Sequence, residues 1–496
     1  MGTSTTDRPF ESLMMLRLCG EVTTKSRGIR QSFNRRLIRN IQDALERAGI
    51  EAKVRDKWFR VDVATEDRRA VEVAQRIFGI QGISWTRSYQ WETLDDVVAI
   101  GEELFADKVA GKTFAVRTRR AGFRQEIPFT SMDVDRALGS KLVEAGGSVD
   151  LDDHQVRVGV EVRRDRAFFY DEEVLGVAGL PNGVEGRALA LMSGGFDSAV
   201  AAWSMMRRGV DMDFLFFNLA GPPQERAVQE VTQALCERWA FGFAPRMHIV
   251  DFRPMIAEMR QKVDGHYWQI LLKRLMVRVG HEIAQNKGYP ALITGDSCGQ
   301  VSSQTLRNLA AISAPITTAV LRPLVARNKE EIIELSRLVG THDISSQVPE
   351  FCSLDGGPPA VDATAEDLDE VEEKLDKELL QELIRHRKYM TVLEMDLQEE
   401  MDTQIGKVPK GAMVIDLRRE REFKNWSYRD SVNIPLERAI EQAGLLPKEA
   451  VYLLYCEVGL KSAFLAEAMR EMGFEAFSFS GGVPKLRKYA QRGEVS

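Results

Sequence analysis

The sequence predicts a multidomain α/β protein, and three observations carry that expectation. The chain has 496 residues, more than one hydrophobic core serves, so roughly three or four domains are expected. Short apolar β-runs alternate with helical stretches over residues 187–345, the pattern of a doubly wound parallel sheet with helices on both faces. After an acidic stretch, a β/α alternation resumes over residues 401–496.

Composition narrows the class. The 44% hydrophobic and 28% charged residues are those of a soluble globular chain. No apolar run is long enough for a bilayer, and the first ten residues lack a secretory core, so no membrane partner and a cytoplasmic location are expected. The five cysteines, Cys19, Cys236, Cys298, Cys352 and Cys456, are too scattered for a disulfide framework and have no metal-ligand spacing. The net charge of −7 argues against a nucleic-acid binder as a whole. Residues 1–170, however, carry about +3 and the remainder about −10, and a local basic surface can hold phosphate whatever the total.

The elements follow in order. In residues 1–80, Met14–Leu18 and Trp58–Val63 read as strands. Gln31–Ala48 reads as a helix with Phe33, Leu37, Ile41 and Leu45 on one face, and Arg68–Phe78 as a second helix. This βαβ-like order predicts an α+β module of ferredoxin-like type. Residues 81–175 form a second module, with helices over Leu94–Ala110 and Ser131–Glu144 and strands over Thr113–Thr118, Gln155–Val162 and Ala167–Tyr170. A Gly-rich connector, Gly176–Gly186, leads into a domain spanning 176–352, with strands at Ala188–Met192, Phe214–Asn218, Met247–Asp251 and Ala291–Thr294. Residues 353–400 are dense in acid and read as an exposed helix or a tether without a strand. Residues 401–496 contain strands at Met413–Asp416 and Val451–Tyr455 and a helix at Ser462–Met472.

The first strand of the central domain runs into Ser193-Gly194-Gly195-Phe196-Asp197-Ser198 and then a helix. Glycines let the backbone approach an anion, and the free N–H groups of a helix start favour phosphate. Ser193 and Ser198 add hydroxyl donors, and the loop lacks the lysine and spacing of a Walker A motif. It resembles the PP-loop of ATP pyrophosphatases, which cleave ATP to AMP and pyrophosphate. That resemblance implies ATP as co-substrate, with Asp197 helping to hold Mg²⁺. Gly295, Asp296, Gln300 and Gln304 follow the strand Ala291–Thr294, at the strand end where such sheets bind ligands. Lys329 is a candidate for neutralising phosphate charge during adenylation.

Residues 114–170 resemble a THUMP domain, through Phe114-Ala115-Val116-Arg117-Thr118-Arg119-Arg120, Gly139, Val149-Asp150-Leu151 and Val158-Gly159-Val160-Glu161-Val162. Thr24 to Phe33 is similar to the ferredoxin-like module that accompanies it. Both carry arginines suited to phosphate and 2′-OH groups of shaped RNA. Near the other end, Cys456-Glu457-Val458-Gly459-Leu460-Lys461-Ser462 follows a strand and precedes a helix, where backbone N–H groups can face the sulfur. The pattern resembles the active loop of rhodaneses, supported by Val414 to Arg418, Glu422-Phe423, Asn433-Ile434-Pro435 and Gly481-Gly482. Glu457 departs from the basic or neutral residue common there, which favours a protein persulfide donor over small anions such as thiosulfate. Cys19, Cys236 and Cys298 read as core residues.

The order of ferredoxin-like module (1–80), THUMP (81–175), PP-loop domain (176–352), acidic linker (353–400) and rhodanese-like domain (401–496) resembles the tRNA 4-thiouridine synthase family over essentially the whole chain. The resemblance implies ATP-dependent replacement of a uridine oxygen by sulfur, at tRNA position 8, through an adenylated uridine. It implies Cys456 as persulfide carrier, Cys352 as the second catalytic cysteine, and a transient Cys352–Cys456 disulfide. It also implies a cysteine desulfurase as donor and a sulfur-carrier protein of thiamine thiazole synthesis as a further partner, and it admits a homodimer. The acidic linker would then tether a swinging rhodanese-like domain. Two alternatives stay open: a PP-loop thiolase of another tRNA base, and a sulfur-relay carrier for thiamine synthesis that does not act on tRNA.

Overall fold

The computed structural model describes residues 11–121, 125–348, 359–397 and 403–491. The chain divides into two compact units. One runs to Glu185 and includes Arg207–Gly209 and Phe241–Phe243; the other holds the remainder.

The first unit is built on a nine-stranded sheet. Its central strand, Ile80–Gln90, lies antiparallel to Glu11–Leu18 (Met14 opposite Trp85), and its end pairs with Arg166–Tyr170 (Arg87 opposite Phe169). Residue 81, where the sequence divides two modules, therefore falls inside a strand that belongs to both halves of the sheet. The helix Arg27–Arg47 buries Phe33, Leu37, Ile41 and Leu45, the face its periodicity predicts. The helices Leu94–Val109 and Ser131–Glu144 each start on a capping box, Thr93 with Asp96 and Thr130 with Asp133.

Two expectations are corrected here. Trp58–Val63 is not one strand. Lys53–Asp56 and Arg60–Ala64 form a hairpin, and Trp58 sits in its turn with φ 68°, its N–H donating to the Asp56 carboxylate at 2.8 Å. An aspartate that hydrogen-bonds the backbone two residues on makes a turn where apolar content alone reads strand. The helix expected over Arg68–Phe78 spans only Ala70–Ala74, because Ile77 and Phe78 leave it to enter the core ahead of the long strand.

A buried ionic cluster joins the two halves of this sheet. Arg60 reaches Asp62 at 2.8 Å and Glu161 at 2.7 Å, with its guanidinium 4.1 Å from the Phe168 ring centre. Burial lowers the pKa of Arg60, and the two carboxylates oppose that effect.

The second unit contains two further sheets. The larger has the order Ala319–Leu321, Ala291–Ile293, Arg187–Met192, Asp211–Asn218, Arg246–Asp251, Lys388–Thr391. It is parallel except for the last strand, which pairs antiparallel to its neighbour (His248 opposite Tyr389). That strand overturns the reading of 353–400 as a linker without a strand. Helices Ala365–Glu372 and Lys377–Arg385 precede it, and Ala360, Ala363, Leu368, Val371, Leu380 and Ile384 lie in the main core cluster. The acids are not all solvated: buried Arg274 binds Glu372 at 2.8 Å and also Asp369. A guanidinium inside the domain has thus recruited a carboxylate-rich segment, and residues 359–397 are part of the fold and not a tether.

The smaller sheet is parallel throughout, in the order Gln404–Ile405, Glu475–Phe479, Val451–Tyr455, Met413–Asp416, Val432–Asn433. Its helix Leu460–Glu471 reaches the neighbouring domain through Glu471, which lies 3.2 Å from Arg253.

Candidate active site

The strand Arg187–Met192 is buried along most of its length and ends at Ser193. The chain then turns through Gly194, whose φ of +80° few side chains adopt, and enters the helix Phe196–Met206. Ser198 Oγ accepts from the Ser193 N–H at 3.2 Å, lies 3.3 Å from Ser193 Oγ, and donates to the Gly195 carbonyl at 3.1 Å. Both serines expected to bind phosphate therefore hold the loop in shape at the helix N-terminus.

Asp197 lies at this helix start. Lys329 Nζ donates to its two carboxylate oxygens at 2.8 and 3.0 Å, and Gln300 Nε2 donates at 3.0 Å. Lys329 begins the helix Lys329–Val339, which Asn328 caps through the Glu331 N–H. The ammonium also lies 5.6 Å from the Phe196 ring centre, and that ring stacks on His342 at 5.3 Å.

Gly295 brings a second strand end against the loop. A Cβ there would stand 2.7 Å from the Asp197 carbonyl carbon and 2.8 Å from the Ser198 nitrogen, so only glycine permits this approach. Next to it, Asp296 accepts from four groups: Thr294 Oγ1 at 2.8 Å, Lys273 Nζ at 3.2 Å, Gln304 Nε2 at 3.2 Å and Arg322 Nε at 3.4 Å. Burial pushes its carboxyl pKa up, but Lys273, Thr294 and Arg322 outweigh that and hold it below the usual carboxylate range. The Oε1 atoms of Gln300 and Gln304 are buried without a hydrogen-bond partner.

The structure thus gathers Ser193, Gly194, Gly195, Asp197, Ser198, Gly295, Asp296, Gln300, Gln304 and Lys329 around one strand-end site. Sequence reasoning missed Lys273. Its signal is a lysine followed by a fully buried arginine inside the otherwise apolar run Ile270 to Val277 of the helix Trp268–Lys287. Cys298, expected in the core, is instead exposed in the turn after Asp296, because Gly299 and Gln300 fold back on hydrogen bonds to Gln304 and Ser297. Cys19 and Cys236 are buried as expected; burial raises the Cys19 thiol pKa, and its Sγ donates to the Gly179 carbonyl.

Cys456 follows the strand Val451–Tyr455 and is 3% exposed. The Gly459 N–H donates to its sulfur at 3.2 Å, and Ser462 Oγ lies 3.6 Å from it. Ser462 is itself 2.7 Å from Ser478 Oγ. Beside this loop, Arg418 is clamped by Asp416 at 2.7 Å and reaches the exposed Glu457 at 3.4 Å. Among the described residues, the two hydrogen-bond donors to the sulfur, Gly459 and Ser462, both belong to the C-terminal domain. Cys352 lies outside the described residues.

Among the described residues, no group of three or more His, Cys, Asp or Glu could hold a metal, and no helix is long and apolar enough to cross a membrane.

Comparison with known proteins gives a consistent pattern. Residues 183–377 match the family profile described as thiamine biosynthesis protein (ThiI), and residues 13–84 match its ferredoxin-like domain. Residues 92–172 match the THUMP domain and 397–488 the rhodanese-like domain. The tRNA sulfurtransferase of Pyrobaculum aerophilum is 36% identical over 92% of this chain and 95% of its own. That of Desulfurococcus amylolyticus is 34% identical over 95% of this chain and 98% of its own. Among solved structures, a 4-thiouridine synthetase in complex with RNA and bound ATP aligns with TM-score 0.66 and 28% identity, over 77% of this chain and 99% of that one.

Proposed function

The chain belongs to the tRNA sulfurtransferase family, and from that premise we propose that it adenylates a tRNA uridine with ATP at the Ser193–Ser198 loop and thiolates it with sulfur carried on Cys456. The observation that carries this reading is the Asp197–Lys329 pair at the mouth of a glycine loop. A carboxylate and a cation joined beside the loop are the groups that attack on an α-phosphate calls for. The ATP and RNA bound by the 4-thiouridine synthetase relative support the same co-substrates here.

The geometry supports the following division of work. Backbone N–H groups of the loop and helix start receive the pyrophosphate part of ATP, leaving the α-phosphate open to the uridine oxygen. Lys329 offsets charge that develops as pyrophosphate departs. Asp197 is 25% exposed and, among the described residues, has a single cationic partner, which fits Mg²⁺ held by one carboxylate and the nucleotide phosphates; the ion would add further charge neutralisation. The adenylated C4 then accepts sulfur, and AMP leaves.

Cys456 takes sulfur from a cysteine desulfurase as a persulfide. The Gly459 N–H and the Ser462 hydroxyl form a polar cradle for that sulfur. Cys352 serves as the second thiol, and the Cys352–Cys456 disulfide formed on transfer needs a reductant. Tethering of a swinging domain by residues 359–397 is no part of this proposal. Sulfur delivery to a carrier protein for thiamine thiazole would use the same Cys456 persulfide. The uridine is that of tRNA position 8, the protein works in the cytoplasm, and a homodimer is compatible with the reading.

The test is nucleoside mass analysis of tRNA from cells lacking the gene and complemented with the wild type, Asp197→Ala, Cys352→Ser or Cys456→Ser. 4-Thiouridine should return with the wild type alone. If the knockout keeps 4-thiouridine but needs thiamine, the chain is a sulfur carrier and the tRNA reading fails.

A further inference from the structure

Asp296 was expected to contact the nucleotide, but its geometry describes a different task. An ionised carboxylate offers about four acceptor positions. In Asp296 two donors meet Oδ1 (Lys273 and Gln304) and two meet Oδ2 (Thr294 and Arg322). Contact with a ribose hydroxyl or a metal ion would displace one of them. The carboxylate side chain is only 14% exposed, whereas Lys273 is 27% exposed and comes from the helix Trp268–Lys287. Two cations on one carboxylate leave a surplus positive charge, while at Asp197 one lysine meets one carboxylate and the charges cancel. The Gly295 contact with the Asp197 and Ser198 backbone holds this surplus charge beside the loop that receives phosphate.

We infer that Asp296 is a positioning residue that holds Lys273, with Arg322, as a second cationic anchor for the phosphates of ATP and for the departing pyrophosphate. The inference rests on the adenylation reading and adds to it. Lys329 meets both oxygens of its own carboxylate at 2.8 and 3.0 Å, whereas Lys273 meets Asp296 at 3.2 Å and shares it with Arg322, so Lys273 is the less neutralised of the two lysines. Charge-assisted contacts to phosphate are the strong ones, and their loss is felt in nucleotide affinity before it is felt elsewhere.

The test uses the full chain as wild type, Lys273→Met, Lys273→Arg, Asp296→Asn, and Asp296→Asn with Lys273→Met. Three quantities are read: ATP affinity without RNA, tRNA affinity without ATP, and single-turnover pyrophosphate release with both. Lys273→Met should weaken ATP binding by about ten- to a hundredfold and leave tRNA affinity within about twofold. Lys273→Arg should recover most of the loss, which a merely misfolded site would not do. Asp296→Asn should weaken ATP binding less than Lys273→Met. The double variant should stay within about threefold of Lys273→Met, because residues acting through one another are not additive.

Multiplying losses in the double variant would mean that Asp296 touches nucleotide or metal directly, and the inference would fall. It would fall equally if Lys273→Met lowered tRNA affinity and spared ATP. Should the wild type release no pyrophosphate with tRNA, the adenylation reading fails by itself, while the ATP affinities still decide the role of Asp296.

Discussion

Lys329 donates to both carboxylate oxygens of Asp197, at 2.8 and 3.0 Å, across 132 residues of chain. The pair joins the start of the helix after the glycine loop to the start of a helix on another connection of the sheet. Each residue fixes the other's position at the loop, and in the proposed reaction each would exchange its partner for the phosphates or a divalent ion. Asp197→Asn and Lys329→Met should therefore lower single-turnover adenylation by about a hundred- to a thousandfold, the range for removal of one preorganised charge. Quenched-flow pyrophosphate release measures it. A loss under tenfold in both variants would remove the pair from the reaction.

At the sulfur site, Ser462→Ala should leave Cys456 able to accept sulfur from a desulfurase but reduce the lifetime of the persulfide. The change deletes the hydroxyl 3.6 Å from the sulfur and the bond to Ser478, while the Gly459 N–H remains. Labelled-sulfur loading followed by a cyanide chase would report it. An effect of about three- to tenfold is expected for one neutral hydrogen bond.

Glu457 lies 3.4 Å from Arg418, a guanidinium already held by Asp416. The carboxylate offsets what positive field the loop has. Glu457→Gln should raise thiosulfate:cyanide sulfurtransferase activity several-fold and fall away with added salt. Unchanged thiosulfate turnover would show that exclusion of the anion is steric.

Arg274 is fully buried and satisfied by Glu372 at 2.8 Å, by Asp369 and by the Ala311 carbonyl at 3.1 Å. Arg274→Met removes one of two cations from Glu372, which keeps Arg278 at 2.7 Å, and the partner of the exposed Asp369. The expected loss is about 1–3 kcal/mol of stability, from the lost hydrogen bonds and the Ala311 carbonyl left without its donor. Urea denaturation of the full chain should show it, together with increased proteolysis within residues 359–397.

His248 supplies a pH dependence. It is fully buried against Tyr389, with ring centres 4.5 Å apart, and burial together with Arg387, Lys287 and Arg246 lowers its pKa from 6.5 to about 3. The folded state thus binds this proton less readily than the unfolded chain. The neutral ring's contribution is fully present above pH 6.5 and is lost as pH falls toward 3, at up to about 1.4 kcal/mol per pH unit. His248→Gln keeps an acceptor for Arg387 and cannot titrate. The wild type should lose stability relative to this variant below pH 6.5, and parallel curves would contradict the assignment.

What the sequence determined by itself is local. A strand, a turn of small residues and a helix start are encoded within a dozen neighbouring residues, so the Ser193–Ser198 and Cys456–Ser462 loops were legible, as were the helices with strong periodicity. The strand Ile80–Gln90 was not, because its burial does not follow a single alternation when different partners cover its two ends. Nor was the strand Lys388–Thr391, hidden behind a run of acids that composition assigns to solvent. Only the tertiary structure decided that Arg274 would take up that acid, that Cys298 would face outward, and that Lys273 would meet Asp296. The physical reason is common to all three. A charged or thiol side chain has no periodic signature, and its fate depends on the partner or opening that distant segments bring to it.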